Sequence, residues 1–371
     1  MTRFGFILLA LLSAAPCGAA EVTRRADGVV FLDGPIVSGD LDRLKAAGLG
    51  EDGILSLNSN GGRFQEGLAI ARYLFDTKVA TIVEAGNSCF SACAVAFLGG
   101  AAFGEESSIL TARSVSPDAR LGFHAPFLNL GAGTFTEDEV QAYYDRAVRT
   151  IVDLVSSSNI LQIDHGDAAE LMRPQRTDLL YLDTAGLLGR YDIAVQGVRM
   201  PERLTRTMAL SLCANGWDWA HNSRMIDITA FENPDIYADG LALLEKTGWD
   251  GKKATLRMDA GILHTIVPVT AAREGTTMYC VVEQAKTDFG TYVSCRGFFD
   301  AGDMKEATDF VRSFEEMRYP CRVAFVIDPT AGYDVSFMNV ARALVPPDTP
   351  VAQMAEVLAA LSRDEKPLQA P

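Results

Sequence analysis

Basic residues are in short supply in this chain: 33 Lys and Arg stand against 48 Asp and Glu, a formal charge of −15. A protein that neutralises phosphates needs clustered cations, so nucleic-acid binding is excluded as a reading. Histidine is scarcer, with four in 371 residues. None stands in the paired cysteine–histidine spacing of a zinc site, so no metal is expected. Internal repeats are absent. Beyond the N-terminus no apolar run approaches the length of a membrane span. What the chain has is core: 48% of its residues are hydrophobic, and its length fits two domains or one large one.

The N-terminus reads MTRFGFILLALLSAAPCGAA. One arginine precedes an apolar run from Phe4 to Ala15, and Gly18 and Ala20 supply small residues for cleavage. This pattern predicts a secretory signal over residues 1–20, removed near Ala20, and a periplasmic or secreted protein. A lipid anchor at Cys17 fits less well, because Pro16 precedes it and the leucine three positions back is missing. Six cysteines then remain: Cys89, Cys93, Cys213, Cys280, Cys295 and Cys321. An even number in an oxidising compartment predicts disulfides. MYCVVEQAKTDFGTYVSC looks like two strands around a turn, which would pair Cys280 with Cys295 and leave Cys213 for Cys321. Cys89 and Cys93 are too far apart for a bond on a regular helix. They can close one if Cys89 precedes the helix.

Residues 21–200 alternate strand-like and helix-like runs. GVVFLDGPI, GILSLN, ATIVEA, LGFH and LLYL read as strands. FQEGLAIARYLFD, ACAVAFLGG, DAAELMR and FTEDEVQAYYDRAVRTIVDLVSSS read as helices. The last has Thr136 as N-cap and Glu139 three residues on. The alternation predicts an α/β core with parallel strands. After residue 200 the texture changes. All three tryptophans (Trp217, Trp219, Trp249) and four of the six remaining cysteines lie there. Strand-like pieces include HTIVPVTAA, MYCVVEQA, TYVSCRGFF and RVAFVID, with helices at MKEATDFVRSFEEM and VAQMAEVLAALSR. A second α+β domain is expected over 201–364, followed by a disordered tail at 365–371.

Three pieces of the first domain combine into chemistry. SLNSNGG (56–62) ends a strand before a helix, GNSCFSACA surrounds Ser91, and PDARLGFHAP (117–126) carries His124 at a strand end. Paired glycines admit a substrate closely and can leave an N–H facing an oxyanion. A serine at a helix start sits among unpaired N–H groups, and the Ala92 N–H could complete the hole. The hydroxyl needs a base, which a histidine within reach would supply. Taken singly, each piece reads as core, loop or turn. Their order and spacing carry the functional reading.

Residues 53–126 resemble the Clp protease/crotonase superfamily, and the caseinolytic Clp peptidase in particular. NSNGG is similar to that family's Asn-Ser-Pro-Gly-Gly loop, with Asn60 in place of proline. Pro117, Arg120, His124 and Pro126 are in register with the segment that carries its base, and residues 101–112 look like an insertion. Weaker similarity runs to about residue 195, through LLYLDTAGLLGRYDI. The resemblance implies an αβ spiral fold, often assembled as rings or trimers, and serine peptide hydrolysis without a cofactor. Ser91 would attack, His124 would act as base, and N–H groups at Gly61, Gly62 and Ala92 would hold the oxyanion. The family's aspartate falls in register near Pro174 or Gln175, where this chain has no acid. Asp178 is the nearest candidate, ahead of Asp164 and Asp167.

Two relatives of that chemistry fit less well. A Ser–Lys dyad would need Lys45 or Lys78, and Lys78 in FDTKVATIVEA reads as exposed. Acyl-CoA chemistry does not suit an exported protein. The expectation is an exported Clp-like serine peptidase acting on peptides or unfolded protein. Its rival is a non-catalytic binding or scaffold protein that keeps the fold. The missing aspartate and the large second domain motivate the rival.

Overall fold

The computed structural model describes residues 18–104, 109–127, 133–175, 178–221, 255–257, 262–270, 277–287, 290–300, 319–327 and 341–364. The apolar part of the expected signal, Trp249, the expected helix at 304–317 and the C-terminal tail lie outside them.

The first unit is α/β. Its elements run β1 (Glu21–Arg24), β2 (Val30–Asp33), α1 (Asp40–Ala46), β3 (Ile54–Asn58), α2 (Phe64–Thr77), β4 (Ala80–Val83), β5 (Ser88–Phe90) and α3 (Ala92–Phe97). Then come β6 (Ala101–Phe103), β7 (Ile109–Thr111), β8 (Arg113–Val115), β9 (Arg120–Phe123), α4 (Glu137–Ser156), α5 (Ser158–Leu161) and α6 (His165–Leu171). β10 (Leu180–Tyr181), α7 (Ala185–Arg190) and β11 (Ala194–Val195) close it.

A six-stranded sheet has the order β1-β2-β3-β4-β8-β11. Only the β1–β2 pair is antiparallel; the others run parallel, as the alternation predicts. Parallel strands are covered on both faces, which is why β3 is buried at successive residues Leu55, Ser56 and Leu57. Buried Ser56 donates to Glu84, 2.8 Å away, and Arg25 grips the same carboxylate through two bonds. The hydrogen bonds from Arg25 hold the Glu84 carboxyl below its ordinary range. The stretch expected as an insertion forms a separate hairpin, β6–β7.

A second, three-stranded sheet has the order β10-β9-β5. β5 runs parallel to β9, with Ser88 opposite Arg120, Cys89 opposite Leu121 and Phe90 opposite Gly122. This small sheet carries the candidate site. Behind it, fully buried Arg113 donates to the carbonyls of Leu98 and Leu161, both at 2.8 Å. It ties the end of α3 to α5, and burial pushes its guanidinium down to about 10. Helix α4 opens with the expected capping box. The Thr136 hydroxyl accepts from the Glu139 N–H, and the Glu139 carboxylate accepts from the Thr136 N–H at 2.8 Å. Such a cap stabilises a helix by about 1 kcal/mol. One side of α4 stays uncovered, with Val140, Tyr144, Val148, Ile151, Val152 and Val155 exposed.

The chain then enters α8 (Arg206–His221), a helix the sequence patterning does not mark. It packs on an antiparallel sheet of β12 (Thr255–Arg257), β13 (Ile262–Thr270), β14 (Thr277–Thr287), β15 (Gly290–Asp300) and β16 (Tyr319–Ile327). The four longer strands correspond to the expected ones. The last described segment turns back. A 3-10 turn over Ala341–Leu344 and α9 (Met354–Asp364) follow the sheet. Ala185 and Gly186 donate to the carbonyls of Thr349 and Pro347, and Thr184 bridges Pro350. Residues 341–351 therefore pack against the α/β unit, although the sequence reading assigns them to the second domain.

The cysteines divide. Cys89 and Cys93 form the expected disulfide, with Cα atoms 5.2 Å apart, because Cys89 lies on β5 and only Cys93 on the helix. The expected Cys280–Cys295 bond is corrected: Cys280 bonds Cys213, which also removes Cys213 from Cys321. The ladder explains why. Cys295 stands opposite Val282 and Cys280 opposite Phe298, so the two are out of register. Their sulfurs still approach to 3.7 Å, and Cys295 is itself disulfide-bonded. Helix α8 brings Cys213 onto the same face.

Candidate functional site

Ser91 lies at the turn between β5 and α3, with φ 56° and ψ −121°. That region is nearly forbidden to a residue with a side chain and is held only where surroundings enforce it. Here two bonds enforce it. The Ser91 N–H donates to the Gly122 carbonyl at 3.0 Å, and the Val95 N–H returns to the Ser91 carbonyl at 3.1 Å. The flanking Cys89–Cys93 disulfide, buried on both sides, closes the turn covalently. An N-cap serine ordinarily bonds the first helical N–H groups with its hydroxyl. Ser91 does not, so its oxygen is left for other work. The residue is half-buried.

The glycine loop reaches this turn from β3. Asn58 accepts from the Ser88 N–H at 3.1 Å, and Ser59 exchanges backbone bonds with Ser88 and Phe90. Gly61 has φ +96°. A methyl group on it would stand 2.7 Å from both the Phe90 carbonyl oxygen and the Ser91 Cβ, and 3.2 Å from the Ala92 nitrogen. Only glycine fits there. The Gly61 N–H is spent on the Ser59 hydroxyl at 3.0 Å, so it is not available to an oxyanion. The Gly62 N–H has no acceptor among the described residues, and Ala92 opens α3, where no intrahelical acceptor exists. Of the three expected donors, Gly62 and Ala92 stay open. Ser59 is the residue the sequence reading did not assign: it fixes the loop that Gly61 and Gly62 form.

His124 follows the last residue of β9. Since Phe90 is opposite Gly122 and the Ser91 N–H bonds the Gly122 carbonyl, the Ser91 turn leaves β5 beside the end of β9, two residues before the histidine. No hydrogen bond joins Ser91 and His124 among the described residues. The His124 Nδ1 instead lies 2.7 Å from the Ala125 carbonyl oxygen. A proton on Nδ1 donates to that oxygen and leaves Nε2 bare, the tautomer a base requires.

The third position is a backbone site. The Ala125 N–H donates to the Pro174 carbonyl at 2.9 Å, so the segment around Pro174 lies beside the histidine. It brings a carbonyl there and no acid. Asp178 is exposed, and its N–H closes a turn onto Gln175. No carboxylate pairs with His124 among the described residues. Asp164 caps α6, and Asp167 is bound to Arg190 at 2.6 Å. Lys78 is buried, contrary to the expectation that it is exposed, and its ammonium holds the Phe75 and Asp76 carbonyls at the end of α2.

Beside the Ser91 turn sits an arginine with two aromatic rings. The Arg120 guanidinium lies 5.3 Å from the Phe90 ring and 5.4 Å from the Tyr181 ring, and donates to the Tyr181 hydroxyl at 3.0 Å. The two rings meet edge to face, 6.0 Å apart.

No family model matches this chain, and no curated protein does. The site therefore rests on its own geometry.

Proposed function

We propose that the protein is a serine hydrolase of peptides, with Ser91 as nucleophile and His124 as its base. The observation that carries this is the backbone of Ser91: a strained, disulfide-braced strand-to-helix turn whose hydroxyl takes no part in capping. Strain of this kind is kept where a nucleophile must project from a sharp turn. The Gly62 and Ala92 N–H groups supply the oxyanion donors. The similarity to the Clp protease/crotonase superfamily supplies the substrate class, the αβ spiral reading of the fold, and assembly between copies. The disulfides and the signal-like N-terminus support a periplasmic or secreted site of action.

Chemically, the Ser91 oxygen adds to the scissile carbonyl while Nε2 of His124 takes its proton. The tetrahedral oxyanion is held by Gly62 and Ala92. His124 then returns the proton to the departing amine, and water repeats the sequence on the acyl-enzyme. The Ala125 carbonyl keeps the histidine in the working tautomer. It stabilises the imidazolium less than a carboxylate would, so turnover is expected to be slow, several orders of magnitude below a complete triad.

Labelling with a fluorophosphonate tests the reading. The expected outcome is covalent labelling of the wild type, none of Ser91→Ala, and strongly reduced labelling of His124→Ala. A folded wild type that never labels and hydrolyses no peptide would refute it. A specific observation also favours the second reading, a non-catalytic binder that keeps this fold: among the described residues no carboxylate pairs with His124 and no hydrogen bond joins it to Ser91. That reading expects peptide binding unchanged by Ser91→Ala and no turnover from any variant.

A further inference from the structure

Arg120 is an exposed cation in a strongly acidic chain, yet no carboxylate pairs with it among the described residues. It is also held rigid. Phe90 and Tyr181 flank its guanidinium, and the Tyr181 hydroxyl accepts from one of its five N–H donors. The Tyr181 bond and the two neighbouring rings restrict where the guanidinium sits and leave its remaining donors for a ligand. Its place matters. Along β9, Leu121 and Phe123 are buried, so Arg120, Gly122 and His124 point to the other face. Phe90, which the guanidinium touches, is the residue before Ser91.

We propose that Arg120, clamped between Phe90 and Tyr181, is a carboxylate-binding subsite that selects acidic peptides at the Ser91 centre. A planar guanidinium edge matches a carboxylate through two parallel bonds, which a lone ammonium cannot do. Arg120 stands opposite Ser88, three residues before Ser91, so the backbone at the two sites is roughly 10 Å apart, the span of about three residues of extended peptide. The carboxylate is thus a side chain two or three residues from the scissile bond, or a chain terminus at that distance. The subsite deepens the peptidase reading and rests on it for the word substrate, but its affinity for carboxylate is a separate property.

The test uses three acetylated peptides: acetyl-Ala-Ala-Glu-Ala-Ala-amide, its Gln counterpart, and the Gln counterpart with a free C-terminal carboxylate in place of the amide. Binding is measured by calorimetry on Ser91→Ala, alone and combined with Arg120→Met or Arg120→Lys. Melting curves verify that each variant is folded. The expected result is about tenfold tighter binding of a carboxylate peptide than of the blocked Gln peptide. Arg120→Met erases the difference and Arg120→Lys keeps only part of it. Preference for the Glu peptide assigns a side chain; preference for the free terminus assigns a chain end. Equal binding of all three, or a preference that survives Arg120→Met, overturns the subsite. Hydrolysis by the wild type is read separately. Arg120-dependent binding without any hydrolysis leaves the subsite standing and sinks the peptidase reading. Hydrolysis without carboxylate preference does the reverse.

Discussion

At Gly61 a single methyl group is enough to disturb Ser91. The contact at 2.7 Å involves the Phe90 carbonyl and the Ser91 Cβ, neither of which can swing away, and the φ of +96° adds backbone strain. Gly61→Ala is expected to destabilise the fold by about 1–3 kcal/mol, read as a lower denaturant midpoint. Fluorophosphonate labelling should fall further than that loss explains, because the displaced atoms belong to Ser91. A variant labelled at the wild-type rate would mean that the loop and the turn are independent. Residue types of this kind were legible: NSNGG, Ser91 and His124 stand out by their order along the chain. The torsions of Ser91 were not, since a letter code carries residue identity and no backbone angle. The Ser59–Gly61 bond escaped for a related reason. It runs within a motif whose serine had no role assigned, and it removes an N–H that a glycine pair advertises. Lys78 misled because a lysine after a helix usually faces water, whereas this one folds back over the carbonyls of α2.

Among the elements, the β5–α3 turn is the one whose covalent brace can be removed cleanly. The Cys89–Cys93 loop is short, so its loss costs only about 2 kcal/mol by chain entropy. Replacing both cysteines with alanine should lower the unfolding midpoint modestly while lowering labelling of Ser91 several-fold, as the turn relaxes toward ordinary torsions. A midpoint change with undiminished labelling would leave the brace purely structural. The elements of the α/β unit were readable because their apolar residues follow the periods of two and 3.6. Helix α8 was not, since Met208 through Asn215 are buried without a break and no polar stripe marks a face. The Cys280 pairing failed for the same cause. Two cysteines across a hairpin invite a bond, but the register offsets them, and the partner comes from a helix the pattern did not announce.

For the molecule as a whole, Asn215 is the pin. Its side-chain amide donates to the carbonyls of Arg342, Ala343 and Val345 at 3.4, 3.1 and 2.9 Å, joining α8 to the returning segment. Asn215→Ala strands buried carbonyls at a cost of about 1–3 kcal/mol each when no water replaces the donor. We expect a clear fall in the urea midpoint, together with protease sensitivity that begins at residues 341–351. Sensitivity confined to other segments would show that the strap is held without the pin.

That strap also sets a schedule. The carbonyls of Pro347 and Thr349 complete hydrogen bonds begun at Gly186 and Ala185, far earlier in the chain. Such distant pairings form late, after the intervening chain has been made and ordered. A polypeptide still being made therefore carries Ser91 in an unfinished frame. Full assembly of the unit waits for residues 347–349 to arrive, so the order of synthesis sets when the frame around Ser91 is complete.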